Sequence, residues 1–386
     1  MSEDSPLAYF WLDTMATLHH FNPETDYALA SNSACYNPPV PIKAMKLSLS
    51  LLPALYASEG DAILLPQESE LLINRNMPFG DLVAIKGLRI VTPANAAEYV
   101  DSHPGTRIRP WGWNPTLIRW LESLKVDPDL LPGKEEMSSL RGLSHRRLTM
   151  PFLMNMAEIR NPEIEIPHEF SDPEEALDFW KQQQTVYFKA PWSSSGRGLM
   201  FTKGMERRHI EPWLKGIIRT QGSVMGEKAY SRILDFASEW ECAGGSAAFL
   251  GFSTFITSER GKYKSNAVAP QESIAAFILT NTETSNGAND LASIIDRQKL
   301  MLESYVAPFY QGPLGIDMLV TENHNINPCV EINIRNTMGR VAVDIFSRIT
   351  SEEASEEEKN ILKNLTKAGI FSPMNFLSAY NEIGSN

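Results

Sequence analysis

The stretch that decides the fold reads Gly315-Ile-Asp-Met-Leu-Val320, then Thr321-Glu-Asn-His-Asn325, then Ile326-Asn-Pro-Cys-Val-Glu-Ile-Asn-Ile-Arg335. The apolar runs on either side are typical of β-strands, and the polar segment between them is typical of a turn. Folding the hairpin about that turn predicts that Asp317 faces Glu331 across the ladder, to within a residue.

The predicted hairpin also brings an amide to the two acids. Asn333 lies two residues beyond Glu331, so both side chains share one face of the sheet. Like charges placed opposite each other destabilise a sheet unless something offsets them. Mg²⁺ would do so, because it favours carboxylate and phosphate oxygens. The alternative is a solvated face on which the carboxylates only add solubility.

Composition limits the classes of function. The chain has 386 residues, 43% of them hydrophobic, and a net charge of -12. That size predicts two or three domains with ample core. The negative charge argues against nucleic acid or an anionic membrane as a main partner. No basic region opens the sequence and no apolar run approaches the length of a membrane span, so we expect a cytoplasmic protein. The cysteines lack ligand spacing and are expected to be buried thiols in a reducing compartment: Cys35, Cys242 and Cys329.

The first third of the chain alternates strand-like and helical segments. Leu18–Phe21, Ala62–Pro66 and Leu88–Thr92 are predicted strands of a small α/β domain. The loop Asn22-Pro-Glu-Thr-Asp26 follows the first strand, where α/β domains place ligand groups. We therefore expect this loop to face the site and to carry much of the acceptor site. A well-capped helix start is the competing interpretation.

A basic cluster follows in the middle of an acidic protein. Ser144 is a predicted N-cap for a helix running to about Glu158. Arg141, His145, Arg146 and Arg147 surround this start and would suit phosphate. A solvated basic face is an equal competitor.

A Ser/Gly-rich loop joins two further strands. Thr185–Ala190 runs into Pro191-Trp-Ser-Ser-Ser-Gly-Arg-Gly198, and Leu199–Lys203 follows. Such a loop offers backbone N–H groups and hydroxyls to phosphate oxygens. It is neither a Walker A motif nor a Rossmann fingerprint, since no Gly-Lys-Ser/Thr and no helix follow. Lys189 ends the first strand and is well placed to neutralise charge. We expect Ser193–Gly198 to be a mobile lid.

Three motifs now occur in order: Lys189 with its Ser/Gly loop, Glu227-Lys228 at a strand end, and the Asp317 hairpin with Glu331-Ile-Asn333. Together they resemble the ATP-grasp superfamily over roughly residues 136–350. The Glu-x-Asn-x-Arg form is most similar to the branch of biotin carboxylase and carbamoyl phosphate synthetase. The whole chain is similar to ATP-grasp proteins of Bacteroides-type bacteria.

The resemblance implies an α/β and α+β fold in which two α+β subdomains grip ATP behind a small α/β domain. The implied divisions are an extension at 1–17, the first domain at 18–135, and subdomains at 136–225 and 226–386.

The resemblance also implies roles for individual residues. Those expected to contact ATP are Arg146, Lys189, Ser194, Ser195, Gly196, Gly198, Glu227, Lys228, Ala229, and Asp235 or Glu239 for the ribose. Arg146 stands near the place of the family's phosphate-binding Lys, and Arg141 or His145 could be the equivalent instead. Asp317, Glu331 and Asn333 would hold one or two Mg²⁺ or Mn²⁺ ions. Arg335, on the same strand, would face the reacting carboxylate, and it joins Lys189 as a predicted catalytic residue.

The implied activity is a ligase that joins a small-molecule carboxylate to an amine, or to a thiol, through an acyl phosphate. This chemistry needs positioning, metal and positive charge rather than covalent help. A small-molecule kinase and a nucleotide-binding regulatory protein remain alternatives. The assembly is left open, with a homodimer compatible with the resemblance.

Overall fold

A computed structural model describes residues 16–67, 79–193, 198–257, 263–282, 287–367 and 371–372. The strands are β1 (Thr17–His20), β2 (Ala62–Leu64), β3 (Arg89–Val91), β4 (Arg107–Pro110), β5 (His168–Phe170), β6 (Val186–Lys189), β7 (Leu199–Phe201), β8 (Val224–Lys228), β9 (Arg232–Ala243), β10 (Ser246–Thr257), β11 (Tyr263–Ala267), β12 (Gly312–Thr321), β13 (Ile326–Asn333) and β14 (Phe371–Ser372). The helices are α1 (Thr25–Ser31), α2 (Val40–Ser48), α3 (Gly80–Ile85), α4 (Ala96–Ser102), α5 (Pro115–Ser123), α6 (Lys134–Leu143), α7 (Thr149–Asn155), α8 (Pro173–Gln183), α9 (Arg207–Gln221), α10 (Gln271–Thr280), α11 (Gly287–Tyr305), α12 (Met338–Thr350) and α13 (Glu356–Lys367).

The first sheet is parallel, in the order β3-β2-β1-β4. Its strands carry short apolar runs such as Ala62-Ile-Leu64, which are buried on both faces, as expected for parallel strands. Because all four strands run the same way, the loop Asn22–Asp26 lies at the edge formed by their carboxyl ends.

The second sheet is smaller and antiparallel, in the order β5-β8-β6-β7. Helices α8 and α9 cover it, with Leu177, Ile210 and Leu214 packing against Val186 and Phe188. The surfaces of α8 and α9 that face away from the sheet are polar. Because both helices lie on one face of the sheet, its opposite face remains for a neighbouring layer.

The third and largest sheet has the order β13-β12-β9-β10-β11-β14, with antiparallel neighbours except for β11 and β14. Helices α10 and α11 pack on one face, where Phe236, Ile278 and Ile294 form a core. One parallel sheet, one antiparallel sheet and one mainly antiparallel sheet confirm the predicted mixed α/β and α+β class.

Helix α12 joins the largest sheet to the first domain. Val341 and Ile345 share a core with Leu52, Leu55 and Trp111. A second connection is polar: the buried ammonium of Lys86, the C-cap residue of α3, lies 3.8 Å from Glu358 on α13. The first domain is therefore packed against the carboxyl-terminal helices α12 and α13.

Several local predictions are wrong. Ser144 ends α6 as its C-cap rather than starting a helix, and a short 3₁₀ turn at Arg146–Leu148 separates α6 from α7. Cys35 is exposed, whereas Cys242 and Cys329 are buried as expected.

No helix in the described part of the chain is long and apolar enough to cross a membrane.

Candidate functional site

The β12–β13 hairpin has the predicted register. Asp317 pairs with Glu331, and Gly315 pairs with Asn333. His324 takes a positive φ of 57° in the turn, a conformation that polar turn residues tolerate better than bulky ones. A tight turn of this kind fixes which residues oppose one another, and it brings Asp317, Glu331 and Asn333 onto one face.

The same face extends onto β9. Glu239 pairs with Gly315 and Asp235 pairs with Leu319, so both acids share the face that carries Asp317. This face of the sheet therefore carries several carboxylates, and the side chain of Glu239 is more deeply buried than those of Asp317 and Glu331. The sequence prediction had placed only the hairpin acids together.

The electrostatics around Asp317 suit a bound cation. Burial first, then the charges of Glu331 and Glu239, raise the pKa of Asp317 well above its usual value. Arg335 and a hydrogen bond with Asn333 act against that rise. Two carboxylates and an amide oxygen form a hard-oxygen donor set that suits Mg²⁺ or Mn²⁺. No cluster of three or more His, Cys, Asp or Glu ligands occurs among the described residues, so substrate oxygens and water would have to complete the coordination.

Arg146 connects this hairpin to the Ser/Gly-rich loop. Its guanidinium donates to Glu331 Oε1 at 2.6 Å and to Ser193 Oγ at 2.6 Å. It also donates to the carbonyl of Ala190 at 2.6 Å. The side chain is only 6% exposed. One buried cation thus holds the base of the loop against the candidate metal ligands.

Arg146 also lines a narrow cleft between the second and third sheets. The cleft has a cavity volume of only about 10 Å³ and is lined by Arg146, Thr149, Pro167, Lys189, Met225, Glu227 and Val330. Lys189 and Glu227 form an ion pair across neighbouring strands β6 and β8. Three residues that the sequence analysis assigned to nucleotide contacts therefore meet at one place.

The other basic candidates point elsewhere. Arg141 stacks on the Trp192 ring at 3.6 Å and donates to the carbonyl of Leu29 at 2.8 Å. His145 packs edge-on against Trp192 and lies 3.4 Å from Glu169. Burial, followed by the charge of Arg147, lowers the pKa of His145 to about 4. Of the three candidates, Arg146 is the one that lines the cleft.

The base of the Ser/Gly-rich loop is closed by a hydrogen bond from the Ala190 N–H to the Gly198 carbonyl at 2.7 Å. Gly198 has φ +70°, and a Cβ there would lie 2.8 Å from the Cβ of Ser193. Only glycine fits this position without strain. The predicted contacts Ser194, Ser195 and Gly196 lie outside the described residues, and the lid remains a prediction.

The remaining predicted nucleotide contacts lie around the junction of the second and third sheets. Lys228 ends β8, where its ammonium is 3.2 Å from Glu165, and Ala229 follows with its N–H directed to the Thr185 carbonyl at 3.4 Å. Asp235 is 7% exposed and lies 3.5 Å from Arg232.

Glu239 is 1% exposed and sealed within the protein. It accepts hydrogen bonds from Thr337 Oγ1 at 2.7 Å and Ser253 Oγ at 2.8 Å. Burial raises its pKa to about 7, against the effect of those two hydrogen bonds. A carboxyl group enclosed in this way has no open path to a ribose hydroxyl, whereas Asp235 lies nearer the strand end.

Arg335 lies beyond the strand on which it was predicted, because β13 ends at Asn333. Its guanidinium nevertheless turns back and donates to Asn333 Oδ1 at 3.0 Å. Its Nε donates to Asp26 Oδ2 at 2.9 Å. Asp26, at the end of the Asn22–Asp26 loop, therefore contacts the residue that follows the hairpin, and the expected acceptor site around that loop stays a prediction. Sequence reasoning missed the ion pair itself, since no local signal links residues 309 positions apart.

Comparisons with known proteins add only a fold likeness. No protein-family model matches the chain, and no curated protein matches it. Among solved structures, biotin carboxylase from Campylobacter jejuni aligns at 12% identity with TM-score 0.48, over 90% of this chain and 70% of that one. N5-carboxyaminoimidazole synthetase from Staphylococcus aureus aligns at 10% identity with TM-score 0.45, over 84% and 71%. L-amino acid ligase from Bacillus licheniformis aligns at 13% identity with TM-score 0.43, over 90% and 73%.

Proposed function

We propose that this chain is an ATP-dependent ligase that activates a small-molecule carboxylate as an acyl phosphate and passes it to an amine or thiol. The observation that carries the proposal is the contact between two groups of residues. Lys189, Glu227 and Arg146 line one cleft, and Arg146 bonds Glu331 of the acidic hairpin. The cations proposed to neutralise phosphates and the oxygens proposed to bind a metal are thus linked by one hydrogen bond, from Arg146 to Glu331.

In this proposal the nucleotide enters the cleft by separating the Lys189–Glu227 ion pair. The cavity volume of about 10 Å³ is far below the roughly 300–1,000 Å³ of typical ligand pockets, so in this proposal the cleft widens when the nucleotide binds. Lys189 and Arg146 then neutralise phosphate oxygens, while Glu227 accepts from the adenine amino group. The backbone of Lys228 and Ala229 and the carboxylate of Asp235 are the proposed adenine and ribose contacts.

Asp317, Glu331 and Asn333 are the proposed ligands for Mg²⁺ or Mn²⁺, which supplies charge neutralisation at the transferring phosphoryl group. Metal binding would replace the Arg146 contact at Glu331 and free that guanidinium for phosphate. It would also lower the pKa of Asp317, because a cation stabilises the ionised carboxylate.

Arg335 holds the substrate carboxylate by bidentate hydrogen bonds in this scheme. A carboxylate oxygen attacks the γ-phosphorus, and the bond from that phosphorus to the ADP oxygen breaks. The neutral amine or the thiol then attacks the carbonyl carbon, inorganic phosphate leaves with the electron pair of the C–O bond, and the proton lost by the amine or thiol passes to phosphate or solvent. Asp26 keeps Arg335 oriented throughout by the hydrogen bond to Nε.

Hydroxylamine trapping tests the proposal without a known amine. Enzyme, Mg-ATP, pooled carboxylic acids and hydroxylamine are incubated, and hydroxamate and ADP are measured. We expect hydroxamate that requires enzyme and ATP, disappears in Arg335→Ala, and persists in Arg208→Ala, whose side chain is 72% exposed. A phosphorylated alcohol without hydroxamate would replace the ligase by a kinase. Tight ATP binding with neither product would indicate a regulatory protein.

A further inference from the structure

Two buried side chains at the carboxyl end of the first sheet each keep one atom without a hydrogen-bond partner in the described part of the chain: His20 Nε2 and Glu24 Oε2. His20 is 1% exposed and Glu24 is 5% exposed. An unpaired buried polar atom costs about 1–3 kcal/mol, and more when it is charged. Two such atoms at the same end of one sheet, linked through shared neighbours, indicate a place where a ligand completes the hydrogen bonding.

Both unpaired atoms are acceptors. His20 Nδ1 lies 2.8 Å from the Leu64 carbonyl oxygen, which can only accept, so Nδ1 carries the proton. Nε2 of the neutral ring therefore presents a lone pair. Burial and the nearby Lys46 charge lower the pKa of His20 to about 3, so the ring stays neutral at physiological pH.

Glu24 has one satisfied oxygen and one free oxygen. Oε1 accepts from the Lys46 ammonium at 2.6 Å, and Oε2 is the unpaired atom. The Lys46 side chain is 20% exposed, which makes it the outer member of the cluster. A single ammonium cannot satisfy a carboxylate with about four lone-pair sites.

An aromatic ring connects the two acceptors. Trp120 lies 4.9 Å from the His20 ring and 5.7 Å from Lys46 Nζ, measured to its centroid. His20, Trp120, Lys46 and Glu24 therefore form a continuous series of contacts. A ligand that suits this cluster donates hydrogen bonds and carries positive charge. A primary ammonium has three donors, and an indole face attracts a cation.

The cluster lies beside the proposed reaction site. Glu24 and Asp26 lie two positions apart, a distance of at most roughly 7 Å along the chain. Their side chains contact different partners: Glu24 accepts from Lys46, and Asp26 accepts from Arg335. The start of α1 thus touches both the cluster and the arginine proposed to hold the acid.

We propose that His20, Glu24, Lys46 and Trp120 form the recognition site for a primary ammonium group on the acceptor substrate. Assigning that group to the acceptor rests on the proposed ligase function, whereas the binding site itself does not. Glu24 Oε2 and His20 Nε2 accept its hydrogen bonds, and Trp120 contacts its charge.

The test uses n-butylamine as the probe and n-butanol as its uncharged isostere, titrated into the full-length protein by saturation-transfer NMR without nucleotide. We expect saturable binding of the amine alone. Glu24→Gln should weaken it about tenfold or more, because a charge-assisted hydrogen bond is lost. Glu59→Gln, at an exposed carboxylate, should leave it unchanged. Equal amine binding in Glu24→Gln and wild type overturns the proposal.

The Lys46→Met variant is a second test, because a variant that only misfolds could lose binding but could not gain it. It removes the ammonium that competes for Glu24, so the probe should bind more tightly than in wild type. Weaker binding in a Lys46→Met protein with an unchanged melting temperature overturns the proposal. Absent butylamine binding with ATP-dependent hydroxamate retained refutes this site and leaves the ligase standing. Butylamine binding without any hydroxamate refutes the ligase and leaves this site standing.

Discussion

Arg335 and Asp26 form an ion pair at 2.9 Å between the end of the acidic hairpin and the first turn of α1. Both side chains are largely buried, at 15% and 17% exposed. The charge of Asp26 raises the pKa of Arg335 against the effect of burial. The first domain therefore contributes directly to the orientation of the residue proposed to hold the acid.

Asp26→Asn is expected to impair acid activation selectively. The shape of the side chain is kept, but the charge that orients Arg335 is lost. Losing a charge-assisted hydrogen bond should raise the KM for the acid about tenfold. Hydroxamate formation should show a higher KM for the acid with unchanged affinity for Mg-ATP. Asp101→Asn, at an exposed position on α4, is the control. An Asp26→Asn enzyme with wild-type kinetics would show that the ion pair has no functional role.

Glu331→Gln is expected to abolish the part of ATP binding that depends on metal. Calorimetry with and without Mg²⁺ measures this directly, and Glu322→Gln at the exposed turn of the same hairpin is the matched control. Wild type should also gain about 2.7 kcal/mol of stability at a ligand concentration of 100 Kd. Identical metal dependence in Glu331→Gln and wild type would rule out Glu331 as a ligand.

Gly339→Ala is expected to destabilise the protein. A Cβ there would lie 1.9 Å from Glu239 Oε1 and 2.3 Å from Ser253 Oγ, so α12 would have to move off the sheet. Overpacking of this kind costs about 1–3 kcal/mol. Gly216→Ala on α9 meets nothing within 4 Å and should be neutral or slightly stabilising. Urea unfolding compares the two, and equal midpoints would contradict the packing argument.

The buried Glu239 carboxyl predicts a dependence of stability on pH. Its pKa of about 7 in the folded state exceeds the ordinary value of 4.5, so the folded protein binds the proton more tightly. The free energy of unfolding should therefore fall as pH rises from 4.5 to 7, by about 3 kcal/mol for this group. Glu239→Gln should lack that part of the slope when both proteins unfold in metal-free buffer. Parallel pH profiles would show that Glu239 is not the titrating group.

The sequence predicted best where local rules suffice. The turn between β12 and β13 fixes which residues oppose one another, so the Asp317–Glu331 pair could be derived from spacing alone. The Ser144 helix was mispredicted because the same residue is acceptable at either end of a helix. Arg335 was placed on the strand because alternation gives no sign of where pairing ends.

The spacing of residues in the sequence does not predict contacts between segments that are distant along the chain. Arg146 meets Glu331 across 185 residues, and Glu24 meets Lys46 across 22. Such contacts depend on how the three sheets pack, which no periodicity records. The burial of Glu239 belongs to the same class, because its enclosure depends on where α12 docks.

The docking of α12 links three positions that are distant in sequence. Gly339 approaches the Glu239 carboxyl closely, and Gly315 sits beneath it, where a Cβ would lie 2.9 Å from Glu239 Oε2. Neither glycine can gain a side chain while Glu239 is present unless the helix or the carboxyl group moves. In evolutionary terms they form one inherited unit: descendants of this chain that replace the acid by a smaller residue gain freedom to fill one glycine, and those that keep it must keep both.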